Sequence, residues 1–310
     1  MNIKNLAPIV LFVYNRLWHT RQTVEALQRN ELARESELFI YSDAPKHEEA
    51  KEKVKEVRDY IKNIDGFKKV TIIKREKNWG LANSVIDGVT KIVNECGKII
   101  VLEDDLVTST NFLVYMNEAL DFYIEDKKIW SISAYNLPID IPKNYQKDVY
   151  LNYRASSWGW ATWKDRWKKN DWEVQDYKKF VKNKILQKQF NRGGNDMTEM
   201  LINQMEGKID SWAIRWGYSQ FKDKSYCIYP TITKVQNIGM DGSGVHCGEN
   251  NNHFDILDDG KIKTQFSKNL QENSKLLRTF KQQFEPSFKG KIAKILKKVG
   301  LYNLVKSTLK

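Results

Sequence analysis

No run of apolar residues in this 310-residue chain approaches the ~18–20 needed to cross a bilayer. The segment Met1 to Pro8 has neither a charged n-region followed by an apolar core nor a small-residue cleavage site, so the chain is expected to stay in the cytosol. Cysteine is scarce: Cys96, Cys227 and Cys247 are odd in number and form no C-x-x-C pair, which argues against a disulfide framework and a zinc knuckle. No G-x-G-x-x-G follows the first apolar run and no G-x-x-x-x-G-K-[ST] occurs, so dinucleotide and P-loop binding lose their main support. No internal repeat is visible. The last 25 residues lack any acidic side chain.

What is present is a basic chain with enough apolar content, 41%, for a sizeable core. Seven of its twelve excess positive charges (Lys289, Lys291, Lys294, Lys297, Lys298, Lys306 and Lys310) fall in those last 25 positions. The remainder is only mildly basic, which disfavours nucleic acid as a partner. Within the tail, Ile292, Ile295, Leu296 and Val299 share one helical face and lysines crowd the others. Residues 287–310 are therefore expected to form a basic amphipathic helix that meets an anionic membrane surface, holding the protein on the inner face of the cell membrane.

The first 135 residues alternate short apolar β-rich runs with longer amphipathic ones, the pattern of an α/β domain with a mostly parallel sheet. Strands are expected at Ile9–Tyr14, Leu38–Tyr41, Val70–Ile73, Ile99–Leu102 and Ile129–Ala134. Helices are expected over Thr20–Gln28, around Val54, Val57, Ile61 and Ile64, over Leu81–Val93 and over Phe112–Tyr123. After Pro138 come an aromatic-dense stretch, Trp158 to Trp163, then polar helical segments and the glycine-rich Gly239 to Gly244. The expected organisation is a 1–248 domain (a donor half 1–136 and an acceptor half 137–248), a loop-rich extension 249–286 and the tail.

Ligands of open parallel sheets bind beyond the carboxyl ends of the strands. There stand Asn15-Arg16, Asp43, Asn78 and the triplet Glu103-Asp104-Asp105. Three adjacent carboxylates after a buried strand repel one another and call for a cation or a hydrogen-bonding ligand; a divalent ion shared with a diphosphate is one solution and a helix cap or solvent is the other. Asp43 alone reads as a turn residue and Arg16 alone as a solvated arginine; together with the triplet they outline a nucleotide cleft.

With these motifs assembled, the chain resembles the glycosyltransferase type A superfamily, and within it the N-acetylglucosaminyltransferase I family and its bacterial relatives. The resemblance runs over most of residues 7–248: Pro8 to Arg16, Tyr41-Ser42-Asp43, Asn78-Trp79-Gly80-Leu81-Ala82, Val101 to Leu106, Ile129 to Asn136, Trp158-Gly159-Trp160, Asp210-Ser211-Trp212 and Gly242 to His246. It implies a Rossmann-like fold flanked by helices with a C-terminal acceptor-side region. It also implies metal-dependent, inverting transfer of a sugar from a nucleotide diphosphate donor, UDP favoured, to a glycan or lipid-linked acceptor in surface-polysaccharide assembly. Arg16, Asp43, Asn78, Glu103, Asp104 and Ser243 are then donor-binding residues. Asp105 and His246 hold Mn2+ or Mg2+, and Asp210 is the base that deprotonates the acceptor; alone, Asp210 reads as a helix or turn cap and His246 as a loop histidine. Trp158 to Trp160 borders the sugar pocket by resemblance, although Trp158, Trp160, Trp163 and Trp167 read from composition as core. A sugar nucleotidyltransferase and a non-catalytic carbohydrate-binding module are the alternatives; the first calls for a glycine-rich basic loop where Asn15-Arg16-Leu17-Trp18 stands.

Overall fold

The computed structural model describes residues 5–243, 256–260 and 263–285. Ten strands are present among them: β1 (Ile9–Val13), β2 (Glu37–Ser42), β3 (Lys69–Lys74), β4 (Lys98–Glu103), β5 (Leu106–Thr108), β6 (Ile129–Ser133), β7 (Val149–Asn152), β8 (Trp160–Trp163), β9 (Tyr226–Pro230) and β10 (Val235–Asn237). The helices are α1 (Leu17–Gln28), α2 (Lys51–Ile61), α3 (Leu81–Cys96) and α4 (Phe112–Phe122), the short α5 (Lys164–Trp167), α6 (Tyr177–Phe180) and α7 (Lys184–Phe190), and α8 (Met197–Met205), α9 (Trp212–Asp223) and α10 (Ser274–Gln282).

Eight strands form one sheet in the order β3-β2-β1-β4-β8-β6-β9-β7. β1 pairs in parallel with β2 on one side and β4 on the other, with Leu11 opposite Ile40 and Leu102. Its five residues are all apolar and buried because both faces of the sheet are covered by helices. The period of two in a strand splits the core. Ile9, Leu11, Ile40, Ile100 and Leu102 pack with Val24 and Leu27 of α1, Val57 and Ile61 of α2, and Phe112 and Met116 of α4. Val10, Phe12, Tyr41, Ile99 and Val101 pack on the other face with Val85 and Val89 of α3 and with Trp160, Trp167, Trp212 and Trp216.

The expected α/β fold, a mostly parallel sheet flanked by helices, is therefore present, and its second half adds antiparallel strands that the sequence reading lacked. The aromatic stretch is β8, antiparallel to both β4 and β6 and inserted between them. Trp160, Trp163 and Trp167 are core residues, with Trp160 and Trp216 4.3 Å apart between ring centres. Ile64 lies beyond the end of α2. Within 249–286, α10 buries Leu276 and Phe280 against Tyr150, Cys227 and Tyr229 at the far sheet edge, so this extension contains a packed helix as well as loops. The tail 287–310 lies outside the described residues. Among the described residues no helix is long and apolar enough to cross a membrane.

Candidate active site

β4 ends at Glu103, and the turn Asp104-Asp105 leads directly into β5. Thr23 on α1 stitches this turn in place: its hydroxyl donates to the Asp104 carbonyl at 2.8 Å and accepts from the Leu106 amide at 3.1 Å. Arg16, the residue before α1, then reaches across. Its Nη2 donates to Asp104 and, at 2.8 Å, to Asp105 Oδ2.

The acidic turn is largely sequestered, with Asp104 and Asp105 5% and 6% exposed. Burial, with the neighbouring charges of Asp105 and Asp104, pushes the Glu103 carboxyl up to about 8, while the Arg16 cation and, to a lesser degree, Trp212 act in the opposite direction. Burial likewise raises Asp104, with Arg16 opposing it. For Arg16, burial disfavours the cation but the two carboxylates outweigh it, so the guanidinium is held more firmly charged than usual. Asp210 stands two residues before the first turn of α9.

β5 pairs antiparallel with β10, and this small sheet delivers the segment that follows β10 onto the site. Ile238 N–H donates to the Asp105 carbonyl at 2.9 Å. At Gly239 an added Cβ would stand 2.1 Å from Asp105 Oδ2 and 2.9 Å from Arg16 Nη1, so only glycine allows the backbone to lie this close. Asp241 receives Ser243 N–H and Oγ–H at 3.0 and 2.6 Å, and its other oxygen lies 3.1 Å from His19 Nε2. Residues 238–243 thus form a strap over the acidic turn.

Together these elements enclose a cavity of about 270 Å³ at the carboxyl ends of β1, β2 and β4. It lies where the sheet order reverses around β1, the crevice in which open α/β sheets bind ligands. Arg16, Asp43, Asn78, Glu103, Asp104, Asp105, Asp210 and Ser243 all line it. These are the expected site residues except His246, which lies outside the described residues. Asp210 is exposed on the wall facing α3; a Cβ at Gly80, whose φ is +72°, would lie 3.3 Å from its Oδ2.

Two of the residues do other work as well. The Asp43 carboxylate accepts the amides of Ala44, Trp79 and Gly80 at 2.9–3.1 Å, so it fastens the loop that enters α3. Asn78 donates to the Ala44 carbonyl at 2.7 Å. Trp158-Gly159-Trp160 does not line the cavity: Trp160 is wholly buried in the sheet and Trp158 packs edge-on against Tyr135, 4.6 Å between centres. This segment, expected at the border of a sugar pocket, thus stands apart from this cavity, Trp160 being drawn inward by packing with Trp167, Trp212 and Trp216.

His19 and Lys46 escaped the sequence reading. Lys46 lines the cavity in the loop after β2. His19 is a buried imidazole three residues after Arg16, a spacing that puts both on the first turn of α1. That spacing was the available signal.

A divalent ion is implied by the resemblance. Among the described residues no group of three or more His, Cys, Asp or Glu is arranged to hold a metal alone. Asp105 Oδ1, however, is buried on the cavity wall without a hydrogen-bond partner. One such carboxylate fits Mg2+ or Mn2+, ions that are commonly held by one or two carboxylates plus phosphate oxygens and water.

No protein-family model matches the chain, and no curated protein matches its sequence. Solved structures similar to it include a mannosyltransferase from Pyrobaculum calidifontis in complex with GDP-Man and Mn2+, with 10% identity, a TM-score of 0.36, and coverage of 53% of this chain and 46% of that one. S. aureus TarS is similar at 11% identity and a TM-score of 0.40, over 73% of this chain and 37% of that one. A UDP-glucose pyrophosphorylase complexed with UDP-glucose is similar at 12% identity and a TM-score of 0.38, over 74% and 92%. The chain spans less than half the length of the first two.

Proposed function

We propose that this chain is a divalent-metal-dependent glycosyltransferase that moves a sugar, with inversion, from a nucleotide diphosphate donor to a glycan or lipid-linked acceptor. The observation that supports it best is the convergence of eight site residues on one cavity, with Arg16 and the acidic turn on one wall and an exposed Asp210 on another. The resemblance supplies the narrower terms: a UDP-hexose or UDP-N-acetylhexosamine donor, an N-acetylglucosaminyltransferase-like scheme, and a role in bacterial surface-polysaccharide assembly. The 287–310 tail then brings the enzyme to the inner face of the membrane, where lipid-linked acceptors reside.

In this reading Asp105, with His246, would hold Mn2+ or Mg2+, and such an ion would supply a counter-charge for the leaving diphosphate. Arg16 at the start of α1 orients the diphosphate oxygens and keeps the acidic turn in place. Asp43 and Asn78 fix the loop that forms the base of the nucleotide cleft. Asp210 takes the proton from the acceptor hydroxyl as that oxygen bonds to the anomeric carbon and the bond to the diphosphate breaks. The strap from Ile238 to Ser243 shields the donor from water.

The alternative of a sugar nucleotidyltransferase lacks its phosphate loop, because Asn15-Arg16 runs straight into α1. Release of nucleotide diphosphate from UDP-, GDP- and dTDP-sugars with Mn2+ and an acceptor glycan tests the proposal. Asp210→Asn preserves shape but cannot accept the proton, so turnover should fall by roughly two or more orders of magnitude while donor affinity changes little. Undiminished turnover, or a product of retained anomeric configuration, overturns the assignment.

A further inference from the structure

Outside the cavity, a second depression runs along the first three turns of α3. Its walls are Trp79, Asn83, Ile86, Asp87, Thr90 and Lys91, and Asn78 lines both it and the cavity. Resting on the glycosyltransferase reading above, we propose that this groove is a saccharide subsite, in which a pyranose ring of the acceptor stacks on Trp79 while the reacting hydroxyl lies at Asp210.

The position argues for it first. Trp79 immediately precedes Gly80, and Gly80 is the residue against which the Asp210 carboxylate rests. An acceptor whose terminal hydroxyl meets Asp210 therefore has the Trp79 groove beside it.

The chemistry of the lining argues for it next. A pyranose presents a patch of C–H groups ringed by hydroxyls. The groove presents a half-buried indole next to the half-buried Ile86, with the amides of Asn78 and Asn83, the carboxylate of Asp87 and the ammonium of Lys91 around them. Asn78 and Asn83 each spend one amide N–H on the carbonyls of Ala44 and Trp79, and Asp87 pairs with Lys91 at 3.1 Å as well as with Arg75; the side-chain amides keep a second N–H and an oxygen for hydroxyls, and the indole offers an aromatic face to the ring.

The indole is also set in advance. Its backbone N–H is held by both Asp43 oxygens. Behind it the buried Arg75 guanidinium lies 4.1 Å from the ring centre and 5.0 Å from that of Tyr41. Arg75 is in turn fixed by its ion pair with Asp87 and by Arg58, which donates to its carbonyl at 2.8 Å. Arg75 does not itself line the groove, while Trp79 does. A side chain held in this way loses little freedom on binding, which is what a weak carbohydrate contact requires.

The test uses the full chain labelled with 5-fluorotryptophan and followed by fluorine NMR, with the Trp79 line assigned from Trp79→Phe. Lactose, maltose and N,N′-diacetylchitobiose are titrated at millimolar concentrations, followed by UDP and GDP. At least one disaccharide should shift the Trp79 line and leave the core lines of Trp160 and Trp216 in place. Asn83→Arg, an exposed site where a long side chain crowds the groove, should weaken that response about tenfold. If no disaccharide moves the line, the proposal falls, since stacking reads the pyranose face and not one sugar's hydroxyl pattern. If nucleotides move it and saccharides do not, the ring belongs to the donor base and the proposal falls equally. Donor hydrolysis, measured separately, reports on the glycosyltransferase reading alone.

Discussion

Arg16 is the only cation bridging Asp104 and Asp105 among the described residues, and its removal makes the sharpest test of the site's electrostatics. Arg16→Met keeps much of the aliphatic bulk and deletes the charge. Both carboxylates are less than a tenth exposed, so they lose their partner where water can replace it only from the cavity side. Breaking a buried pair in this way costs about 3–5 kcal/mol. For a chain of 310 residues the unfolding entropy is roughly 0.65 kcal/mol/K, so the melting temperature should fall by about 5–8 °C. Added Mn2+ should recover part of the loss, by about 2.7 kcal/mol at a hundredfold excess over its Kd. Differential scanning calorimetry of parent and variant, with and without MnCl2, reads both effects. An exposed ion pair is worth only about 0–1 kcal/mol, a fall of less than about 2 °C. A loss of that size, unaffected by manganese, would refute the picture of a sequestered acidic turn neutralised by Arg16.

Gly239→Ala should destabilise the protein by about 1–3 kcal/mol and weaken nucleotide binding, because the new methyl collides with the Asp105–Arg16 pair; parent-like urea unfolding and nucleotide titrations would remove the close-packing argument. Asp258, in a segment that bonds to Thr233 just before β10 and lies beside Asn111 at the start of α4, accepts from Lys234, from Asn111 at 3.0 Å and from Gly260 at 3.1 Å. Burial raises its pKa but these partners prevail, leaving it below the ordinary 3.8. Its stabilisation is therefore present above about pH 4 and lost as pH falls through the depressed value, so Asp258→Asn should cost roughly 2–4 kcal/mol at pH 7 and progressively less in acid. A stability difference that does not change with pH contradicts this. Deleting residues 287–310 should abolish co-sedimentation with anionic vesicles and leave turnover on a soluble acceptor nearly intact; equal sedimentation of the truncated chain refutes the membrane role.

The parallel half of the sheet was legible because each of its strands is a short apolar run ending in a polar residue, as Ile9–Val13 before Asn15-Arg16 or Lys98–Glu103 before Asp104. A strand buried on both faces needs no alternation, and the residues at its carboxyl end are thrown together by the sheet itself. The same logic made Arg16, Asp43, Asn78 and the acidic triplet readable as one site. β8 was hidden because Trp160-Ala161-Thr162-Trp163 shows neither alternation nor a β-branched run, and its place between β4 and β6 is decided by tertiary packing of the tryptophans. The strap was recognised by its glycines, but its anchor was not: that Asp241 meets His19 depends on the β5–β10 pairing, a contact between segments far apart in the chain.

The central position of β8 bears on how the chain comes together during synthesis. When the ribosome has delivered residues up to β6, the inner edges of β4 and β6 both lack a neighbour, and each exposes a row of unsatisfied amides and carbonyls. Only when Trp160–Trp163 emerges and slides between them are both edges closed at once. The two halves of the sheet are thereby joined by a strand that belongs to the later one. A cut near residue 136 would yield not two small domains but two adhesive fragments, and the cavity at the carboxyl ends of β1, β2 and β4, although built almost wholly from the earlier half, owes its persistence to the later.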